Sequence, residues 1–156
     1  SLENPSVLFT TLLDIDVKAL SFVSDVIESR KLNRFIRLIP ENLIYLALGK
    51  RDLALEPQDF IYSIGLIDYL SDDLVVRLLD FIYTLLRPNG RVMLGNFHPD
   101  NPTKALMDHV LEWELIHRDE STMNRLFETS SFGRPATRIE YEEQRINLFA
   151  ECIRAD

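Results

Sequence analysis

Five glycines in 156 residues are few. Gly49, Gly65, Gly90, Gly95 and Gly133 never fall two positions apart, so the sequence holds no Gly-x-Gly. That excludes from this stretch a glycine-rich loop whose backbone lies against a phosphate or nucleotide. There is one cysteine, Cys152, which rules out an internal disulfide and argues against a structural zinc site. No apolar run reaches the roughly 18 residues of a membrane-spanning helix, and no signal-peptide pattern opens the sequence. No nucleophile elbow, phosphate-binding Walker loop or zinc-spaced pair is present. Basic charge is short as well: 25 acidic against 17 basic residues leave a net charge of -8. A phosphate-rich surface would repel that balance, so no nucleic-acid partner is expected. A soluble, reducing, cytoplasmic setting is the expectation.

What is there suits a single globular domain: 46% of the residues are hydrophobic and 27% charged. No repeat or low-complexity segment interrupts it. Val7 to Leu13 is β-branched and apolar and reads as a buried strand. Asp16 is placed to cap the next helix, whose apolar face is Ala19, Leu20, Val23 and Ile27. Phe35 to Ile39 is a second strand, closed by Pro40. Asn42 to Leu48 is open between strand and short helix, and Gly49 to Gln58 is a charged connection. Phe60 to Ile64 is a third strand. Ser71, with Asp72 and Asp73, marks the start of a long helix with Leu74, Leu78, Phe81, Ile82 and Leu85 on its apolar face. Arg87-Pro88-Asn89-Gly90 should stop it. Arg91 to Phe97 is the next strand and His98 to Pro102 a loop. Leu106, Met107, Val110 and Leu111 mark another helix face, and Glu120 to Thr129 a further helix. Thr137 to Tyr141 and Ile146 to Ile153 form a hairpin across Glu142-Glu143-Gln144. Strands alternating with helices predict an α/β fold, a mostly parallel sheet with the antiparallel hairpin at one edge.

Ligands of such sheets bind beyond the carboxyl ends of the strands. Asp14 stands at one such end. It could accept hydrogen bonds from ribose hydroxyls, or simply be a capping or solvated acid. Asn42 offers a donor and an acceptor to an adenine edge, or is a turn asparagine. Gly65 would let a ligand approach the backbone. Asp68 and Tyr69 could touch substrate or cofactor; the plainer alternative makes Tyr69 core and leaves Asp68 in solvent. Asn96-Phe97-His98-Pro99 ends the fourth strand, where His98 is the foremost candidate general base, or an inert loop histidine. His109 and His117 fall on expected helices without metal-ligand spacing. Trp113 and the methionines read as core.

Three stretches together resemble a known family. Leu13-Asp14-Ile15-Asp16, then Phe60-Ile61-Tyr62-Ser63-Ile64-Gly65-Leu66-Ile67-Asp68-Tyr69-Leu70, then Leu86-Arg87-Pro88-Asn89-Gly90-Arg91-Val92-Met93-Leu94 resemble the Rossmann-like S-adenosylmethionine-dependent methyltransferases. The last is similar to that family's L-K-P-G-G-x-hydrophobic approach to its fifth strand, and the hairpin fits its antiparallel sixth and seventh strands. Gly65 to Leu70 and Gly95 to Pro99 look most like a bacterial subgroup assigned to methyl esters of hydroxy fatty acids.

The resemblance implies S-adenosylmethionine as cofactor. Asp14 would take the ribose, Asn42 and Leu43 the adenine, and Ser63, Ile64 and Gly65 the methionine side. His98, Asp68 and Tyr69 would be the catalytic candidates, and Asn96 and His98 would face a small or acyl substrate, with the segment from Leu106 to Trp113 walling an apolar channel. The family's opening strand, Gly-x-Gly-x-Gly loop and first helix have no counterpart here, since six residues precede Val7. The chain is therefore expected to be one partial methyltransferase-like domain, the carboxyl-side part of a larger protein, with little activity by itself. The alternative is a non-catalytic module binding a nucleotide or partner on a degenerate form of the fold. In the family the absent strand lies between the strands at Asp14 and Phe60. Three outcomes are open: direct pairing of those two, irregular packing, or self-association through the gap, which is the one expected.

Overall fold

A computed structural model of the chain describes residues 8–156. Val7, the first residue of the expected opening strand, lies outside the described residues. The chain divides into two compact units, residues 1–45 and 46–156.

The first unit is a β-α-β segment. β1 (Thr10–Asp14) and β2 (Ile36–Pro40) pair in parallel, Thr10 opposite Ile36 through Asp14 opposite Pro40. α1 (Val17–Ser29) connects them. Asp16 caps it as expected, its Oδ1 accepting the amides of Lys18 at 2.8 Å and Ala19 at 3.3 Å. Leu20 and Ile27 are buried, whereas Ala19, expected on the same face, is exposed. Lys31 ends the helix at φ 57°, where the amides of Lys31 and Leu32 close back onto the carbonyls of Glu28 and Ile27. After β2 the open segment resolves as a short helix, α2 (Leu43–Ala47). Asn42 caps it, its Oδ1 accepting from the amides of Ile44 and Tyr45.

The second unit carries β3 (Gln58–Ile64), a 3-10 turn over Ile67–Tyr69, α3 (Asp72–Leu85), β4 (Leu86–Phe97), α4 (Lys104–His109), α5 (Glu120–Thr129), β5 (Arg138–Tyr141) and β6 (Asn147–Ile153). Its sheet runs β3-β4-β6-β5: β3 lies parallel to β4, and β6 is antiparallel to both β4 and β5. The core comprises Val75, Leu78, Leu79 and Ile82 of α3, Met123, Leu126 and Phe127 of α5, Val92 and Leu94 of β4, and Leu148, Ala150 and Cys152 of β6. Each large side chain buried there contributes about 1.5–3 kcal/mol. The buried stripe on α3 is rotated by one residue from the expected one. Its spacing of three and four is intact, but Val75 and Leu79 are at its centre while Leu74, Phe81 and Leu85 flank it half-buried.

Four expectations are corrected. First, there is no single sheet: among the described residues β1 pairs with β2 and β3 with β4, and no ladder joins β1 to β3. Second, α3 does end at Leu85, but Arg87-Pro88-Asn89-Gly90 is drawn into β4 as an irregularity. Gln58 faces Leu86 while Phe60 already faces Arg91. Asn89 adopts φ 62° there. Its amide and the Gly90 carbonyl both bond to the backbone of Arg154. Gly90 is required at this bend, because a Cβ would sit 2.8 Å from the Arg87 carbonyl oxygen and 2.9 Å from that of Gln58. Third, Ser71 occupies the N-cap position of α3 without a side-chain cap bond. Fourth, the helix expected around Leu106 to Leu111 stops at His109. Met107 is buried, but Leu106, Val110 and Leu111 are exposed, and His117 lies between α4 and α5 rather than on a helix.

Candidate functional site

In the first unit, Asp14 ends β1 as an exposed residue whose Oδ1 accepts the Asp16 amide at 2.9 Å. Asn42 follows β2 with its Oδ1 engaged at the start of α2, which leaves its amide N–H groups as what it can offer a ligand. Leu43 opens that helix.

In the second unit, Ser63 and Ile64 end β3, and Gly65 leaves the strand at φ 79° with no atom within 4 Å of where a Cβ would stand. The backbone there is open to an approaching ligand, and a side chain would strain it. The turn that follows reverses the plainer reading of its residues: Asp68 is 1% exposed and Tyr69 57%. Asp68 Oδ1 accepts the amide of Phe97, the last residue of β4, at 2.8 Å, and its carbonyl accepts the Ile116 amide. Its Oδ2 is buried without a hydrogen-bond partner. Burial raises the Asp68 carboxyl above its ordinary value, although the Phe97 amide and Arg118 pull it down.

Asn96 was expected to face substrate. It is fully buried and its amide is fully engaged. Nδ2 donates to the carbonyls of Phe97 and Ile116, both at 2.9 Å, and Oδ1 accepts from Arg118. It ties the end of β4 to Ile116 and Arg118. Arg118 was not singled out in the sequence, yet it organises this end of the sheet. At 1% exposure its guanidinium donates to the carbonyls of Ile67 at 2.8 Å and Leu70 at 2.6 Å, to Asn96 Oδ1 at 2.9 Å, and from Nε to Asp72 Oδ1 at 3.0 Å. Asp72 therefore serves as the counter-ion of a buried arginine besides starting α3.

His98 lies where β4, α5 and the hairpin meet. Its amide donates to the Ile146 carbonyl and its Nδ1 accepts the Asp100 amide at 3.2 Å. That assigns the proton to Nε2, which is 3.5 Å from Glu120 Oε2. Tyr141 stands edge-on to the imidazole and donates its hydroxyl to Glu120. This hydrogen bond, with lesser help from His98, holds the Glu120 carboxyl below its ordinary range. Burial, then Glu120, pushes the Tyr141 phenol up.

A second histidine comes close to Asp68. His117 Nδ1 is 3.0 Å from the Leu115 carbonyl oxygen. A carbonyl only accepts, so Nδ1 carries a proton, and in the neutral imidazole Nε2 is then the acceptor; that atom too is buried without a partner. Phe97 packs its ring 5.8 Å from His117 and 6.3 Å from Trp113. Trp113, expected in the core, is 42% exposed, because its indole N–H reaches out to the Tyr69 hydroxyl at 2.9 Å. Ile116, Leu106, Val110 and Leu111 add exposed apolar surface along the same stretch of chain. Among the described residues no cluster of three or more His, Cys, Asp or Glu could hold a metal ion, and no helix is long and apolar enough to cross a membrane.

No family model and no curated protein matches the chain. Among solved structures it is similar to a possible exported protein from Bordetella parapertussis, with a TM-score of 0.76 and 17% identity over 94% of this chain and 53% of that one. It is also similar to the mitomycin 7-O-methyltransferase MmcR, with a TM-score of 0.74 and 21% identity over 96% of this chain and 42% of that one. A third is the S-adenosylmethionine-dependent methyltransferase SibL, with a TM-score of 0.72 and 19% identity over 96% of this chain and 44% of that one. The chain thus spans about half the length of the structures it matches. The likeness is one of fold: α/β with mixed sheets, resembling a methyltransferase, and with the antiparallel pair β5-β6 present.

Proposed function

We propose that this chain is part of an S-adenosylmethionine-dependent methyltransferase acting on an oxygen of a small or acyl substrate. The supporting observation is a methyltransferase-like fold along nearly the whole chain, with polar groups at the carboxyl ends of β1, β3 and β4 where ligands of such folds bind. The residues suit the cofactor in part. Asp14 is an exposed carboxylate at a strand end, Asn42 retains donor N–H groups beside Leu43, and the backbone at Gly65 has room. The cofactor would supply an activated methyl group on a sulfonium, a good leaving group, so that alignment accounts for much of the rate.

In this reading Asp14 accepts the ribose hydroxyls, Asn42 donates to the adenine edge against Leu43, and Ser63, Ile64 and Gly65 lie along the methionine part. Asp68 and Tyr69 face the methyl acceptor. His98 is a base for a hydroxyl acceptor only if its contact with Glu120 opens. The 156 residues contain no Gly-x-Gly, so by themselves they should hold the cofactor weakly and turn over little.

Titrating isotope-labelled chain with S-adenosylmethionine and following its amide resonances tests this. A weak, rapidly exchanging complex should move Asp14, Asn42 and Gly65. Asp14→Ala should weaken it about ten-fold, the equivalent of one charged hydrogen bond. Tight stoichiometric binding would overturn the view of the absent loop, and a titration that leaves all three amides still would remove them from the site.

The edge of β3 bears a second, independent proposal. Among the described residues it pairs on one side only, with Phe60, Tyr62 and Ile64 exposed along the strand. Such an edge seeks a strand, and self-association through it is expected. Sedimentation across a concentration series should show mass rising with concentration, and lysine at Tyr62 should suppress the rise. A constant monomer mass would end the proposal.

A further inference from the structure

Two orphaned atoms at the carboxyl end of the β3–β4 pair ask for the same thing. Asp68 Oδ2 and His117 Nε2 are both buried, both hydrogen-bond acceptors, and both without a partner. Their other atoms are fixed. Asp68 Oδ1 takes the Phe97 amide and His117 Nδ1 donates to Leu115, so neither group can turn to find a partner without breaking a bond. The two side chains flank one residue, since Phe97 binds Asp68 through its amide and His117 through its ring. An unsatisfied buried acceptor is costly, and a fold carrying two of them around one residue, Phe97, has a place for donors. The surroundings describe the rest of the ligand. Phe97 and Trp113 meet edge to face, and Trp113 is joined to Tyr69 by a single hydrogen bond between two half-exposed rings.

We propose that Asp68 Oδ2 and His117 Nε2 form a subsite for the hydroxyl groups of a neutral aromatic compound, a phenol or polyphenol, whose ring lies among Phe97, Trp113 and Tyr69. The hydroxyls donate to the two acceptors, and the rings take the flat apolar body. The same acceptors work against a carboxylate: an anionic acceptor brings no donor and meets the Asp68 carboxylate. Within the methyl-transfer reading, on which its catalytic meaning rests, the subsite selects hydroxyl over carboxyl acceptors. It names His117 besides Asp68 as a group that holds the acceptor, and it assigns His98 to the anchoring of the hairpin.

Trp113 is the one tryptophan of the sequence, so its emission reports on this place directly. Catechol is the probe; 1,2-dimethoxybenzene, which has the ring without the donors, and benzoate are its controls. Catechol should quench or shift Trp113 emission with a saturable curve, the controls binding at least about ten-fold more weakly, the equivalent of one lost hydrogen bond. Asp68→Asn and His117→Phe should each weaken catechol by a similar factor. If a variant fails to fold, nitrogen NMR of the wild-type imidazoles decides. His117 should be in the Nδ1–H form, with its Nε2 signal moved by catechol while those of His98 and His109 stay. Dimethoxybenzene binding as well as catechol, or a His117 Nε2 signal unmoved at saturation, would overturn the proposal. Catechol binding in a chain whose amides ignore S-adenosylmethionine would uphold the subsite and defeat the methyl-transfer reading; the reverse pattern would do the opposite.

Discussion

Arg118→Met should cost about 3–5 kcal/mol of unfolding free energy, because it leaves the buried carbonyls of Ile67 and Leu70 and Asn96 Oδ1 without their donor, at about 1–3 kcal/mol each. Methionine keeps most of the stem's volume, so the loss falls on the polar end. The Ile67 and Leu70 carbonyls, Asn96 Oδ1 and Asp72 would all lose their guanidinium donor. Arg118→Lys should recover little. An ammonium is a compact point donor and cannot serve four acceptors spread around a planar fork. Urea unfolding of the three proteins would measure this, with the midpoint falling and the slope against urea unchanged. A loss below about 1 kcal/mol, the worth of an exposed pair, would mean that the network is open to water. Because Arg118 ties the 3-10 turn to the end of β4, local opening should reach Asp68 as well. The Phe97 and Ile116 amides, which bond to Asp68, should lose hydrogen-exchange protection before the rest of β4 does.

Much of the fold was legible in the sequence because it depends on local pattern. Asp16 capping α1, Pro40 closing β2, the hairpin across Glu142 and the helix at Glu120–Thr129 each follow from residues within a turn or two of one another. The site was less legible because its partners are far apart in the chain. Arg118 finds Ile67, Leu70 and Asp72 between 46 and 51 positions upstream, and nothing near it in sequence signals that. Asp68 and Tyr69 exchange the places that the plainer alternative gave them, for a related reason. The chain leaves β3 through a 3-10 turn, which directs Asp68 inward to the Phe97 amide left over at the end of β4, and Tyr69 outward to meet Trp113. An aspartate is therefore buried where its own sequence neighbours argue for solvent. Trp113 sits half in water because its partner is itself a surface residue. The division into two sheets was not legible either, because alternating apolar patterns report that strands exist and not which of them pair.

Asp68→Asn should make the protein more stable at neutral pH, by about 1–3 kcal/mol, the cost of leaving a buried polar group unsatisfied. The asparagine carbonyl can keep the Phe97 amide, while its N–H groups put donors where Oδ2 had none and where His117 Nε2 needs one. The pH dependence identifies the cause. The folded pKa of Asp68 is raised, mainly by burial, so the folded chain holds its proton above the pH at which the unfolded chain releases it. The contribution of Asp68 to wild-type stability therefore declines as pH rises from the ordinary aspartate value through the raised folded one, and then levels off. Arg118, paired with Asp72, and His117 are the charged or titratable groups bearing on Asp68. Neither is removed by the substitution. The advantage of asparagine should thus be small below the ordinary aspartate range, open through the window above it and remain on the neutral plateau. A gap that does not change with pH would locate the gain elsewhere than in the buried charge. If the variant gains stability and loses catechol together, poor folding cannot explain the lost binding. The strain of an unmatched carboxylate would then be what the chain retains in order to receive a hydroxyl.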